Sequence, residues 1–318
     1  MSTITETNST SSASQTQITI PIRPWDNVRH YKVLHTSKLQ TKHQTKQNTL
    51  EYDLALAMHT NPYSIELLKH NFLLDGTFPA SFSLQVICAM QSAIYPCCIT
   101  IDNKTNKPLA VQNIEFITKQ WHTRTEVVNN QCNNYNAKKY IEKMGRHLQS
   151  RDTLFNALKK DLLAQILFMP LYNRSFTLDT ATAIMFEWTH DDFGCHDTPG
   201  RIKAVFISEH LCEFQFSATK RWQEENEIAD IKRILAKHYD IDSLKPFEPT
   251  TSFDITLTIN TRTGMLLHSR AVIKTNAGAY YENTDDFFID FINSTDTEAD
   301  ENLLHYKTVG LREQPMIL

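Results

Sequence analysis

The sequence predicts an α+β protein in which two antiparallel sheet regions flank a run of three helices, with further single helices packed on the sheets. Three observations predict it. Apolar and polar residues alternate in both halves of the chain, at Leu50, Tyr52, Leu54, Leu56 and Met58 and again at Cys212, Phe214, Phe216 and Ala218, the period of a half-buried strand. Between these halves the period becomes helical. The strands are joined by short turns, which make antiparallel neighbours. The boundaries that follow are a disordered polar tail over 1–17, a first sheet region with a buried helix over 18–112, a helical segment over 113–170, and a second sheet region with one helix over 174–309, containing an acidic loop over 294–302.

In order, Tyr31, Val33 and His35 alternate weakly and the run 50–58 cleanly, and 66–74 is a third apolar run. Phe82 to Tyr95 is apolar nearly all round, the mark of a buried helix, and Pro96 ends it. Ile99 and Ile101, the turn Asp102-Asn103-Lys104-Thr105-Asn106, and Leu109 and Val111 form a hairpin. Ile117, Trp121, Arg124 and Val128 share one helical face, with Asn113 as the N-cap residue. Ile141, Met144 and Leu148 mark a second helix. Leu154, Leu158, Leu162 and Ile166 mark a third, which Pro170 ends. Strands return at 184–190, 205–207 and 212–219, with Asp191 to Gly200 as a loop rich in turn residues. A helix over 223–238 starts acidic and ends basic, as its dipole favours. Strands at 255–259, 267–273 and 287–291 close the fold, and Leu303 to Val309 can add a short edge strand.

Composition narrows the function. The 318 residues are 41% apolar, enough for a packed core, and carry a formal charge of −4. There are 7 glycines, against roughly 22 at average usage. No G-x-G-x-x-G, G-x-x-x-x-G-K-[ST] or G-x-S-x-G occurs, which removes the usual phosphate cradles and the nucleophile elbow. The richest apolar run, Leu162 to Pro170, is nine residues long, well short of the roughly 20 that span a bilayer. The polar opening lacks the basic and apolar regions of a secretory signal. These features place the chain in the cytoplasm, with its six cysteines as free thiols.

Two groups of residues stand out. His190, Cys195, His196 and Asp197 lie within eight residues and are of types that bind zinc, although their spacing matches no standard metal signature and the same residues suit a polar turn. Around the start of the first sheet, Trp25, Arg23, Arg29 and Lys32 combine an aromatic anchor with positive charge, a pattern suited to a protein partner. The adjacent Asp285 and Asp286 sit in an acidic stretch that reads as solvated surface. Residues 23–46 carry six basic side chains and one acidic, and 279–301 carry eight acidic and none basic. No nucleic-acid-binding grammar accompanies the basic run.

The reading that follows is a non-catalytic interaction protein, an adaptor or accessory subunit with another protein as partner, no cofactor and no nucleic acid. Two alternatives stay open: a carrier of a small or lipid-like ligand in a pocket between sheet and helices, and a metal-dependent enzyme centred on residues 190–197.

Overall fold

The computed structural model describes residues 16–131, 135–148, 150–190, 194–239, 248–278 and 281–292. The acidic loop over 294–302, the edge strand over 303–309 and nearly all of the N-terminal tail lie outside them.

The chain begins with β1 (Gln17–Thr19), then builds a meander of long strands: β2 (Arg29–Thr41), β3 (Thr45–Thr60) and β4 (Tyr63–Leu74). Helix α1 (Phe82–Ser92) follows, started by Ser81, whose side chain accepts from the Leu84 N–H. The hairpin β5 (Cys97–Ile101) and β6 (Pro108–Val111) completes the first half. Helices α2 (Ile114–Gln131), α3 (Tyr135–His147), α4 (Arg151–Leu158) and α5 (Leu162–Leu167) come next. Strand β7 (Ser175–Thr177) pairs back with β1 in a small two-stranded sheet, and a second meander holds β8 (Ala181–His190), β9 (Gly194–Ser208), β10 (Leu211–Arg221), α6 (Glu225–Tyr239), β11 (Thr250–Asn260), β12 (Met265–Asn276) and β13 (Tyr281–Ile292).

The α+β expectation is corrected by this architecture. The protein is mostly β, 51% strand and 26% helix, and among the described residues the two expected sheet regions form one antiparallel sheet of eleven strands, in the order β6-β5-β4-β3-β2-β13-β12-β11-β10-β9-β8, beside the two-stranded β1–β7 sheet. The two meanders are fused because β2 and β13 pair along the whole of β13, from Tyr281 opposite Thr41 to Ile292 opposite His30. Local periodicity identifies most of the long strands, but this pairing joins residues some 250 positions apart and leaves no local trace. Among the described residues the helical run is also four helices rather than three. The stripe from Leu154 to Ile166 breaks at Lys159–Asp161, where the Asp161 carboxylate accepts from the Leu163 N–H and starts α5 as a separate helix. Asn113 precedes α2, but its side chain joins β5 to its flanks instead of capping, accepting from the Cys98 N–H and donating to the Pro96 carbonyl.

One face of the sheet is the core. Tyr31, Val33, Leu54, Phe214, Phe216, Phe287 and Ile289 are buried on it, and rings meet edge to face at Phe176–Phe214, Phe186–Phe216 and Trp188–Phe253. The opposite face is polar and charged, laced by pairs such as Lys32 with Glu51 and Asp53, and Arg270 with Asp286. A smaller cluster at one end packs α6 through Ile228, Ile231 and Leu235 against Trp222, Ala277 and Tyr281.

The sheet coils strongly. β4 and β8 are eight strand positions apart, about 38 Å in a flat sheet at about 4.8 Å per strand. Yet both are held by the six-residue helix α5 and its N-cap: Asp161 binds Lys69 of β4, and Gln165 binds Thr189 of β8. Four helical residues advance only about 6 Å. The two ends of the sheet must therefore curl toward each other, with α5 between them. The β5–β6 turn joins the same closure, since Asn106 Nδ2 donates to the Leu167 carbonyl and Asn173 Nδ2 to the Lys104 carbonyl.

Candidate interaction rim at the open sheet edge

An eleven-stranded sheet that does not close has two edges, and each edge exposes unpaired backbone groups unless something blunts it. The β6 edge is short, four residues, and begins with a proline, which has no N–H to offer. The β8 edge is ten residues long, Ala-Thr-Ala-Ile-Met-Phe-Glu-Trp-Thr-His, with neither proline nor lysine. Gln165 covers its end: the Nε2 donates to the Thr189 carbonyl and the Oε1 accepts from the Thr189 N–H, each at 3.1 Å. Both Thr189 backbone groups thus face away from β9. By the alternation of an antiparallel ladder, so do those of Glu187, Met185, Ala183 and Ala181. Among the described residues no strand pairs with this side.

The side chains of the same four residues are exposed on the outer face, Met185 by 53%. Behind them on β9, Lys203 lies opposite Ala181, Arg201 opposite Ala183, Pro199 opposite Met185 and Asp197 opposite Glu187. The rim is therefore basic at one end, acidic at the other, and apolar between. Lys203 reaches Asp179 at 3.1 Å, and Glu187 reaches Lys159 at 3.6 Å. On the inner face of β9, the Phe216 ring of β10 packs over Gly200.

The residues singled out from the sequence as zinc ligands fall on the same hairpin but divide between its faces. The Asp191–Gly200 loop is shorter than expected, because β9 starts at Gly194 and pairs with β8 in continuous register. That register puts His190 and His196 on the inner face, His190 buried beside Trp188 and His196 edge-on to Trp222. Cys195 and Asp197 are exposed on the outer face. Among the described residues no group of three or more His, Cys, Asp or Glu is placed to hold a metal ion.

The second group also separates. Trp25 packs against the core, and the Arg29 guanidinium stacks over its ring at 3.8 Å. Burial, partly offset by Tyr31 and Tyr172, lowers the Arg29 pKa. Arg23 is exposed on the same arm, while Lys32 is tied on the outer face by Glu51 and Asp53. Trp25 and Arg29 staple the N-terminal arm to the body.

Two polar constellations on the inner face depart from the sequence reading, which gives Lys69 no role and places Asp285 on a solvated surface. Lys69 pairs with Leu54 and points into the core, where it binds Asp161 and lies 5.0 Å from the Tyr52 ring centre and 5.5 Å from that of Tyr95. Burial pulls its pKa down, but Asp161 and Tyr52 outweigh burial and leave it raised. Its parity with Ile65 and Leu67 was the only sequence signal. The other is centred on Asp285, whose carboxylate accepts from Asn283 Nδ2 and meets His35 Nε2, each at 2.8 Å. Asp286, its neighbour in sequence, points outward and forms a two-pronged pair with Arg270. The Ser37 hydroxyl donates to Asn283 Oδ1 at 3.5 Å, so it is not aligned as a nucleophile on His35. A groove of about 620 Å³ lies on the helical layer, between α2 and the start of α4, lined by Glu115, Thr118, Lys119, His122, Ser150 and Arg151.

The chain matches no protein-family model, and no curated protein matches it in sequence. Among the described residues no helix is long and apolar enough to cross a membrane.

Proposed function

We propose that the protein is a non-catalytic interaction protein, an adaptor or accessory subunit, whose working surface is the β8–β9 rim. The observation that supports this reading is the unblunted edge from Ala181 to Glu187, because an edge strand of that length and composition is a template for another strand. Backbone groups supply the attraction, and the apolar centre at Ala183, Met185 and Pro199 is contact surface of a kind charged edges lack. The cytoplasm is the compartment we assign. The five described cysteines are free thiols, which fits a reducing environment.

The test is photocrosslinking with a benzophenone amino acid in place of Met185, in cells that express the full chain. A covalent adduct of residue 185 with another polypeptide is expected. If residue 185 yields no protein adduct while the same probe at an inert surface position also yields none, the rim is not a binding surface and the reading fails.

A further inference from the structure

The rim is built to meet itself. Resting on the reading of the rim as an interaction surface, we infer that its occupant is the β8 edge of a second copy of this chain, paired antiparallel about a two-fold axis through Ile184. Three features of the edge carry this.

The first is the disposition of its charges. Glu187 and Asp197 sit at one end of the outer face and Arg201 and Lys203 at the other. Antiparallel self-pairing lays the acidic end of each rim beside the basic end of its partner. Parallel pairing of the same two edges would turn one copy over and join the polar outer face of one sheet to the apolar inner face of the other.

The second is length. Gln165 occupies the edge at Thr189, so the available outward-facing residues are Ala181, Ala183, Met185 and Glu187. An axis through Ile184 matches Ala181 with Glu187 and Ala183 with Met185, and every one of the four finds a counterpart whose N–H and C=O face it. Other registers leave one or more of these residues opposite nothing.

The third is shape. In that register each exposed Met185 side chain lies opposite an alanine, large against small, in the middle of the interface. Glu187 likewise lies opposite Ala181, so the exposed Glu187–Lys159 and Lys203–Asp179 pairs of the single chain can exchange for Glu187–Lys203 across the seam. A symmetric dimer with a single continuous sheet of twenty-two strands is the result, an isologous contact that closes on itself.

Sedimentation velocity of the full chain over a concentration series, with two variants, tests the inference. The wild type is expected to dimerise. Met185→Lys is expected to weaken the dimer about a hundredfold or more, because it puts a cation at the apolar centre beside the partner's Arg201. Residue 185 is exposed, so the variant is expected to keep the wild-type circular dichroism and melting temperature. Glu187→Lys is expected to weaken the dimer as well, and Lys203→Glu added to it to restore association. A wild type that stays monomeric at all concentrations overturns self-pairing, and so does a dimer unaffected by Met185→Lys. The crosslinker at residue 185 separates the two levels of the argument. An adduct of twice the chain mass supports the dimer. An adduct of any other mass overturns the second copy as occupant and leaves the interaction rim standing. No adduct overturns both.

Discussion

Gln165 takes the place of a strand residue opposite Thr189. Its side-chain amide engages the Thr189 backbone as a peptide group would, one N–H donating to the carbonyl and the oxygen accepting from the N–H, both at 3.1 Å, while Nε2 also donates to the Lys160 carbonyl. Since Asp161, four residues earlier, binds Lys69 on β4, the N-cap and first turn of α5 fix the distance between two parts of the sheet that are remote in strand order.

Removing this amide should loosen the edge locally. Gln165→Ala deletes the two hydrogen bonds to Thr189 and a third to the Lys160 carbonyl, each contributing about 1 kcal/mol. Amide hydrogen exchange at Thr189 should quicken, while the central strands β2 and β13 keep their protection. Unchanged exchange at Thr189 would show that the edge is held by some other contact.

The Lys69–Asp161 pair should make the protein sensitive to alkali. The Lys69 pKa is raised in the fold despite burial, through Asp161 and Tyr52. A group with a raised folded pKa stabilises fully below its unfolded pKa, about 10.4 for lysine, and that contribution is lost as pH rises through the folded value. Tyr52 and Tyr95 act in the same direction, because burial raises both phenols and the unfolded phenols ionise from about pH 10. Urea unfolding should therefore show stability falling above about pH 10. Asp161→Asn leaves an ammonium buried without its counter-charge and should cost about 3 kcal/mol at pH 7. Lys69→Met, which keeps the volume and leaves the half-exposed Asp161 to water, should cost less and flatten the alkaline limb. Equal losses from both substitutions would show that the pair acts by packing alone.

Most of the long strands were legible in the sequence because each has one dry face. Leu50 to Met58 and Ile255 to Ile259 alternate as the structure has them. The global pairing was not, because hydrogen bonds between β2 and β13 depend on backbone that every residue shares. The helical stripe at 154–166 concealed its break for a related reason: Leu154, Leu163 and Ile166 are all buried, and only Asp161 marks the new start. At the candidate rim, the sequence drew attention to the 190–197 hairpin for its ligand types, whereas the structural feature there is the edge of β8. Edge status belongs to the sheet and not to the strand. Lys69 was hidden by its residue type, since lysine ordinarily reads as solvent-facing.

Thiol chemistry should follow burial. Burial pushes the Cys97 thiol up to about 12 and that of Cys212 up to about 11, and both side chains are buried. At neutral pH neither supplies thiolate, the reactive form. Cys195 is exposed on the rim. Brief treatment of the native protein with iodoacetamide at pH 7.5, followed by peptide mass spectrometry, should label Cys195 well before Cys97 or Cys212. Early labelling of Cys212 would mean that β10 opens readily.

Gly200 should tolerate no side chain. It lies in β9 opposite Ala218 of β10 and Ile184 of β8. A Cβ built there would overlap the Phe216 ring and sit 2.9 Å from the Ala218 Cβ. Phe216 is fully buried and held edge to face by Phe186, so the ring cannot swing aside without disturbing the core beneath the rim. Gly200→Ala should therefore destabilise by about 1–3 kcal/mol, the usual range for overpacking, against the small gain that alanine normally brings to a strand. Ala218→Gly in the same chain removes one of the two obstructions and should recover only part of that loss, because the ring remains. Thermal melts of the two single variants and the double variant give the coupling. Full recovery in the double variant would place the obstruction at Ala218 instead of Phe216.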